Sequence, residues 1–145
     1  MQGTLPILRF LGRSFPETHI YGADPVQASQ VWFLTRLKPQ IDSWLDFVQD
    51  SLSTADFKIL SSAFETLNTH LALRSFIVGY SLSLADIAVW GALNGNGIFK
   101  KSLKSGNQGH LSRWFQHLGS LPVFQAACSE FESAKTNANK VIFLK

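Results

Sequence analysis

The chain has 145 residues, of which 46% are hydrophobic, 16% charged and 12% aromatic, with a formal net charge of +3. That length suits one domain, and twelve Phe and four Trp supply enough core to exclude a largely disordered chain. Charge below the ~25% usual for soluble domains points to surface covered by a partner, and three excess positive charges do not mark a dedicated nucleic-acid binder. The single cysteine, Cys128, excludes a disulfide framework and a cysteine-based zinc site. No stretch approaches the ~18 apolar residues of a membrane span. Met1-Gln2-Gly3-Thr4 opens into Leu5-Pro6-Ile7-Leu8, without the basic start and long apolar run of a secretory leader. A cytoplasmic protein without membrane contact is the expectation.

In chain order, the apolar spacing is helical nearly throughout. Leu5, Leu8, Leu11 and Phe15 recur at three- and four-residue intervals, with Arg9 and Arg13 on the other side. Pro6 sits near the start, where its missing N–H costs little. Ser14 to Glu17 ends this element. Gly22-Ala23-Asp24-Pro25 is a loop in which Asp24 can cap the next helix. From Val26, a long helix carries Val31, Leu34, Ile41, Leu45 and Val48 as its buried stripe, with Trp32, Trp44 and Phe47 beside it. Pro39 falls inside and predicts a kink or a split.

Ser53-Thr54-Ala55-Asp56 reads as the next helix start, and Phe57, Leu60, Phe64, Leu67 and Leu71 as its stripe, ending near His70. Leu73 to Ser81 is a connection. Helix resumes at Ser83 and runs to about Leu93, until Asn94-Gly95-Asn96-Gly97 breaks it. A short segment, Ile98 to Leu103, ends at Ser105-Gly106-Asn107. Leu111, Trp114, Phe115 and Leu118 mark a compact helix, and Pro122 to Ser133 the last one. The pattern predicts an all-α fold over residues 1–134, then a tail or linker stump over 135–145, with apolar Val141 to Leu144 near its end. No alternating run reads as a strand.

The most informative segment runs from Gly79 to Trp90. Ser83 is an N-cap whose hydroxyl can accept from the N–H of Asp86, while the Asp86 carboxylate can reach back to the N–H of Ser83. This is a capping box with Asp in the usual Glu position. Leu82 and Ile87 have the spacing of a hydrophobic staple, and Asp86 lies in the first turn, where the helix dipole favours an anion. These are structural roles.

Other candidates for chemistry are few. His110 and His117 are seven residues apart without the tighter spacing or third ligand of a helical zinc site, so no metal is expected. Asp42 and Asp46 share a helix face that reads as solvated or facing a partner. Cys128 has no activating neighbour and reads as a buried, inert thiol. Lys100, Lys101 and Lys104 could touch nucleic-acid phosphates, or simply solvate a loop. Arg113 points outward beside His110, Gln116 and His117 if Trp114 and Leu118 enter the core. From the residues alone it reads as an ordinary surface arginine, although a planar guanidinium also suits an interface, where it can stack and form forked hydrogen bonds.

The Gly79-x-x-Leu82-Ser83-Leu84-Ala85-Asp86-Ile87 segment resembles the cap that opens the central helix in the C-terminal helical domain of glutathione-transferase-like proteins. The longer run Leu71 to Gly79, then Ser81 to Asn96, is similar to the N-terminal domain of eukaryotic glutamyl-tRNA synthetases, including the fused glutamyl-prolyl enzyme. Ser112-Arg113-Trp114-Phe115 after a Lys/Ser-rich loop, Ile7 to Arg13, and Ile41 to Phe47 also fit. The match covers roughly residues 5–132.

The resemblance implies a helical bundle from which most of the thioredoxin-like half is missing, hence no glutathione site and no cofactor. No His-x-Gly-His motif, Lys-Met-Ser-Lys loop or Gly-rich phosphate cradle occurs in the chain. The resemblance therefore implies a non-catalytic domain that docks onto another transferase-like domain or onto itself, with tRNA reached indirectly or weakly. One implied docking face comprises the Arg113 helix and the loop before the capped helix. The other is formed by the first two helices, with Leu8, Arg9, Gly12, Trp32 and Arg36 as candidates. The alternatives left open are the helical half of a glutathione transferase and the related domain of a translation elongation factor subunit.

Overall fold

The computed structural model describes residues 6, 7, 9, 10, 14, 31–106 and 108–130, the side chains of 31–37, 104 and 105 excepted. Residues 6, 7, 9, 10 and 14 are helical. Helix α1 spans Val31–Phe47 and passes into a wide π-helical turn at Val48–Leu52. Then come α2 (Phe57–His70), α3 (Leu84–Asn94), α4 (Gly97–Ser105), α5 (Gly109–Gly119) and α6 over residues 122–130. There is no strand among the described residues. The expected loop at 22–25 and the tail from Lys135 lie outside the described residues.

Helix α3 is the centre of the bundle. Leu84, Ala85, Ala88, Val89, Trp90 and Leu93 are all buried, as expected of a helix apolar on most sides. Helix α1 and the π turn pack against it, α4 follows from its C-terminus, and α2 packs against α5. A run of rings ties the layers together. Phe64 meets Phe99 at 5.3 Å, Phe99 meets Phe115 at 5.1 Å, and Phe115 stacks on Trp90 at 5.3 Å. Trp90 also donates its indole N–H to the Phe115 carbonyl (3.1 Å) and meets Phe124 edge-on at 4.8 Å. Aromatic pairs in these geometries add about 0.5–1.5 kcal/mol each beyond burial.

Two sequence expectations change, and at Pro39 the structure removes one of the two alternatives. Helix α1 is not split at Pro39. The buried stripe Ile41, Leu45 and Val48 continues past the proline, and burial at about 1.5–3 kcal/mol per side chain offsets a proline cost of about 3 kcal/mol. Phe57 is 66% exposed rather than part of the α2 stripe, which begins with Leu60. It is the first helical residue, one turn beyond the edge of the core. Asp42 and Asp46 do not form a merely solvated face: Arg9 pairs with them, at 3.3 and 2.6 Å.

The helix ends are closed by specific groups. Asp56 caps α2 by accepting from Lys58 N–H (2.8 Å). Asn96 caps α4 by accepting from Ile98 and Phe99 N–H (2.9 and 3.1 Å), so this asparagine in the expected breaker is a helix start. Gly106, at φ +75°, closes α4 in the left-handed conformation that glycine adopts without strain. The N-terminus of α5 is capped from another element. Asn68 in the last turn of α2 accepts from His110 and Leu111 N–H at 3.0 and 3.1 Å.

The capping box of α3 is formed in both halves, and Asp86 does more than complete it. Its Oδ2 accepts from Ser83 N–H (3.0 Å) and from the Ser83 hydroxyl (2.7 Å). Its Oδ1 accepts from Ile77 N–H (2.8 Å) and from the Trp114 indole N–H (3.2 Å). The residue is fully buried, at 0% exposure. Burial raises its pKa above the ordinary carboxylate value; the bonds from Ser83, Ile77 and Trp114 pull downward without overcoming it. Among the described residues, no buried side-chain polar atom lacks a partner.

Asp86→Asn should cost about 1–3 kcal/mol, because an amide nitrogen in place of Oδ2 faces the Ser83 N–H donor. Asp86→Ala should cost more, roughly 3–4 kcal/mol, by orphaning several buried donors. A raised folded-state pKa means that the folded chain holds this proton more readily than the unfolded one. The associated stability is fully present below the unfolded value and is lost as pH rises through the folded one. Denaturant titrations across pH should therefore show the wild-type advantage over Asp86→Asn shrinking on going from acid towards neutral. An advantage that grows with pH would contradict the assignment. Asn68→Ala should destabilise the chain by about 1–2 kcal/mol, as loss of an N-cap does, readable in the same titrations at neutral pH.

Candidate functional site

The loop over residues 71–82 leaves α2 and enters α3. Its backbone is held at several points. The Ile77 peptide is gripped on both sides: its N–H goes to Asp86, and its carbonyl accepts from His70 Nε2 at 2.8 Å. Because a carbonyl can only accept, His70 carries the proton on Nε2 in this bond. The His70 ring lies 4.7 Å from that of Trp44 on α1. Gly79 turns the chain at φ +70°, in the left-handed region where a side chain would be strained.

The third holding point is Arg113 on α5. Its Nη2 donates to the carbonyls of Leu71 (2.9 Å) and Arg74 (3.2 Å). Leu71 is the C-cap of α2, and a cation there is favoured by the carbonyl end of the helix dipole. The ends of α2 and α5 thus cap each other, Asn68 serving one and Arg113 the other. The outward orientation expected for Arg113 is only half of the picture. The residue is exposed, yet its guanidinium turns back onto its own chain.

Beside it, His110, Gln116 and His117 are also exposed on α5. Gln116 Nε2 reaches the Ser112 hydroxyl at 3.5 Å, and the His117 ring meets Phe76 edge-on at 6.3 Å. Arg113, Gln116 and His117 line an open depression of about 510 Å³ with Leu103, Gln108 and Ser112. His110 is not part of its lining. The loop itself carries two large residues with almost no cover, Leu73 at 99% and Tyr80 at 94% exposure. Composition and periodicity did not single out either one. An apolar residue that breaks the stripe after Leu71 was the available signal.

The second candidate face is only partly described. Leu8 and Gly12 lie outside the described residues, as do the side chains of Trp32 and Arg36. Arg9 is engaged with Asp42 and Asp46 on α1. Lys100 and Lys101 are exposed on α4, and Lys104 is helical with its side chain outside the description. Cys128 is half-buried, with Asn94 Nδ2 at 3.9 Å from its sulfur. Among the described residues, no group of three His, Cys, Asp or Glu could hold a metal ion, and no helix is long and apolar enough to cross a membrane.

The chain is similar to several known proteins. It is 32% identical over 136 residues to the bifunctional glutamate/proline–tRNA ligase of Cricetulus griseus, a match covering 93% of this chain and 8% of the relative. It is 38% identical over 91 residues to the cytoplasmic glutamate–tRNA ligase of Saccharomyces cerevisiae, covering 62% of this chain and 13% of the relative. The chain thus spans a small fraction of the length of these ligases. Among solved structures, it matches a chain from work on the structural basis of yeast aminoacyl-tRNA synthetase complex formation, based on crystal structures of two binary sub-complexes. The TM-score is 0.69 at 28% identity, over 90% of this chain and 68% of that one. The family model of the glutathione S-transferase C-terminal domain matches residues 48–122, from the π turn through the buried Asp86 cap to the end of α5. With that match and the all-helical bundle built around the capped α3, this chain belongs to the glutathione S-transferase C-terminal domain family.

Proposed function

We propose that this chain is a non-catalytic interaction domain of a cytoplasmic glutamyl-tRNA synthetase. It docks onto a transferase-like helical domain of another protein and so assembles a synthetase complex. The similarity to glutamate–tRNA ligases and to a chain from a synthetase sub-complex supports the reading. The observation that carries it is the loop before α3. Leu73 and Tyr80 stand almost fully exposed on a loop whose backbone is held at Leu71 and Arg74 by Arg113 and at Ile77 by Asp86 and His70. Exposed apolar and aromatic groups on a hydrogen-bonded backbone are of the kind that supplies the contacts of protein interfaces.

Docking of this kind needs no chemistry from the domain. Its effect is to raise the effective concentration of the ligase near its partners. The tRNA is reached indirectly, through the assembled ligase, and Lys100 and Lys101 add at most weak phosphate contact.

Mixing the chain with a transferase-like helical domain from a synthetase-complex protein should give a one-to-one complex by mass. Leu73→Ala and Tyr80→Ala should each weaken it by roughly tenfold or more, corresponding to about 1.4 kcal/mol. Calorimetry with glutathione should give no binding heat. Saturable glutathione binding by this chain alone would favour the helical half of a transferase and overturn the proposal.

A further inference from the structure

We infer that the outer face of α4 is a sequence-independent binding face for the phosphate backbone of RNA. The choice of RNA among polyanions rests on the synthetase reading proposed above; the face itself rests on charge placement. Charge is not spread evenly along the chain. Residues 1–86 carry a net charge of −2, whereas residues 87–129 contain Lys100, Lys101, Lys104 and Arg113 and no Asp or Glu. Arg113 spends its Nη2 hydrogens on carbonyls of its own chain. The cationic character of this stretch is therefore concentrated on α4.

Helix phase gathers it on one side. At about 100° per residue, positions 100, 101 and 104 fall within an arc of about 100°. The opposite side is the one that packs: Phe99 is fully buried, and Ile98 and Leu103 lie against the core. Lys100 and Lys101 are accordingly exposed, and neither forms an ion pair among the described residues. Glu65 is exposed on α2 next to Phe64, whose ring meets that of Phe99, yet it pairs with neither lysine. Ammonium groups without a carboxylate partner are compact point charges. They bind phosphates by releasing counterions and read no base. Two or three such contacts bind weakly alone. Joined to a ligase that holds the same RNA elsewhere, they act at a high effective concentration.

Fluorescence anisotropy with a labelled tRNA transcript should give the chain a dissociation constant of about 10⁻⁶–10⁻⁴ M at about 50 mM salt, the range of non-specific binding. An unrelated RNA hairpin should bind within about threefold of it, because phosphate contacts carry no sequence information. Lys100→Gln combined with Lys101→Gln should weaken binding about tenfold or more and reduce the slope of log affinity against log salt by about 1.5–2. Lys38→Gln combined with Lys58→Gln removes the same charge from exposed positions elsewhere, and should change affinity by less than about threefold. Both pairs should keep the wild-type denaturant midpoint, as substitutions at exposed positions do.

No saturable RNA binding by the wild-type chain would overturn the inference. Equal weakening by the two pairs would overturn it too, since binding would then follow net charge and not α4. A strong preference for one RNA would contradict a face that reads only phosphates. Sedimentation with vesicles of phosphatidylserine and phosphatidylcholine that depends on Lys100 and Lys101, without RNA binding, would assign the face to a membrane surface instead. Docking is read separately. If the chain docks with no transferase-like domain but binds RNA through α4, the docking proposal fails and the RNA face stands. If it docks and binds no RNA, only the present inference fails.

Discussion

A carboxylate cannot be sealed inside a protein without donors around it, and the architecture here follows from how Asp86 meets that constraint. Its donors come from three places: the start of its own helix, the loop before it and the indole of α5. One side chain thereby fixes the first turn of α3, the path of the loop and the depth of Trp114. The upward shift of its pKa shows that burial outweighs the donors as far as charge is concerned. Other arrangements of loop and α5 would leave buried donors without an acceptor, and each such donor costs about 1–3 kcal/mol.

A second constraint acts at the surface end of the same region. Helix α2 stops where α5 begins, so four orphan carbonyls and four orphan N–H groups come close together. The chain resolves both ends by exchange. Asn68 of α2 serves the N–H groups of α5, and Arg113 of α5 serves the carbonyls at the end of α2. Neither residue caps its own helix at these positions. The cost of moving one helix thus includes uncapping the other, which couples the outer face of α5 to the loop.

What the sequence revealed divides along the same line between local and distant. The capping box was legible because Ser83 and Asp86 are three residues apart and the helix start has a local signature. The apolar period of α2 was legible from Leu60 to Leu71, but the same period overran the core at Phe57, since spacing does not say where the core stops. Ile77 and Trp114 as donors to Asp86, and Leu71 and Arg74 as acceptors for Arg113, carry no local signal. They are pairings across many residues. Arg113 could be placed on the outer side of α5 by helical phase, yet where its long side chain turns depends on a loop whose path only the fold sets. The Arg9 pair with Asp42 and Asp46 was hidden for the same reason.

The low charge content suggests surface covered by a partner, and the proposed docking would place that surface at the loop before α3. A chain that satisfies its buried polar atoms so fully, among the described residues, still leaves Leu73 and Tyr80 bare. Single exposed apolar residues are ordinary on protein surfaces. These two differ in their support. Ordinary exposed residues on loops can relax onto their own surface, whereas this loop is tied at Leu71, Arg74 and Ile77. Glycine at position 79, in a left-handed turn, directs the chain out and back just before Tyr80. A backbone held this firmly has already lost the entropy that binding would otherwise remove. Under the proposed docking function, the bonds that hold the backbone around Leu73 would also spare a partner part of the cost of ordering it.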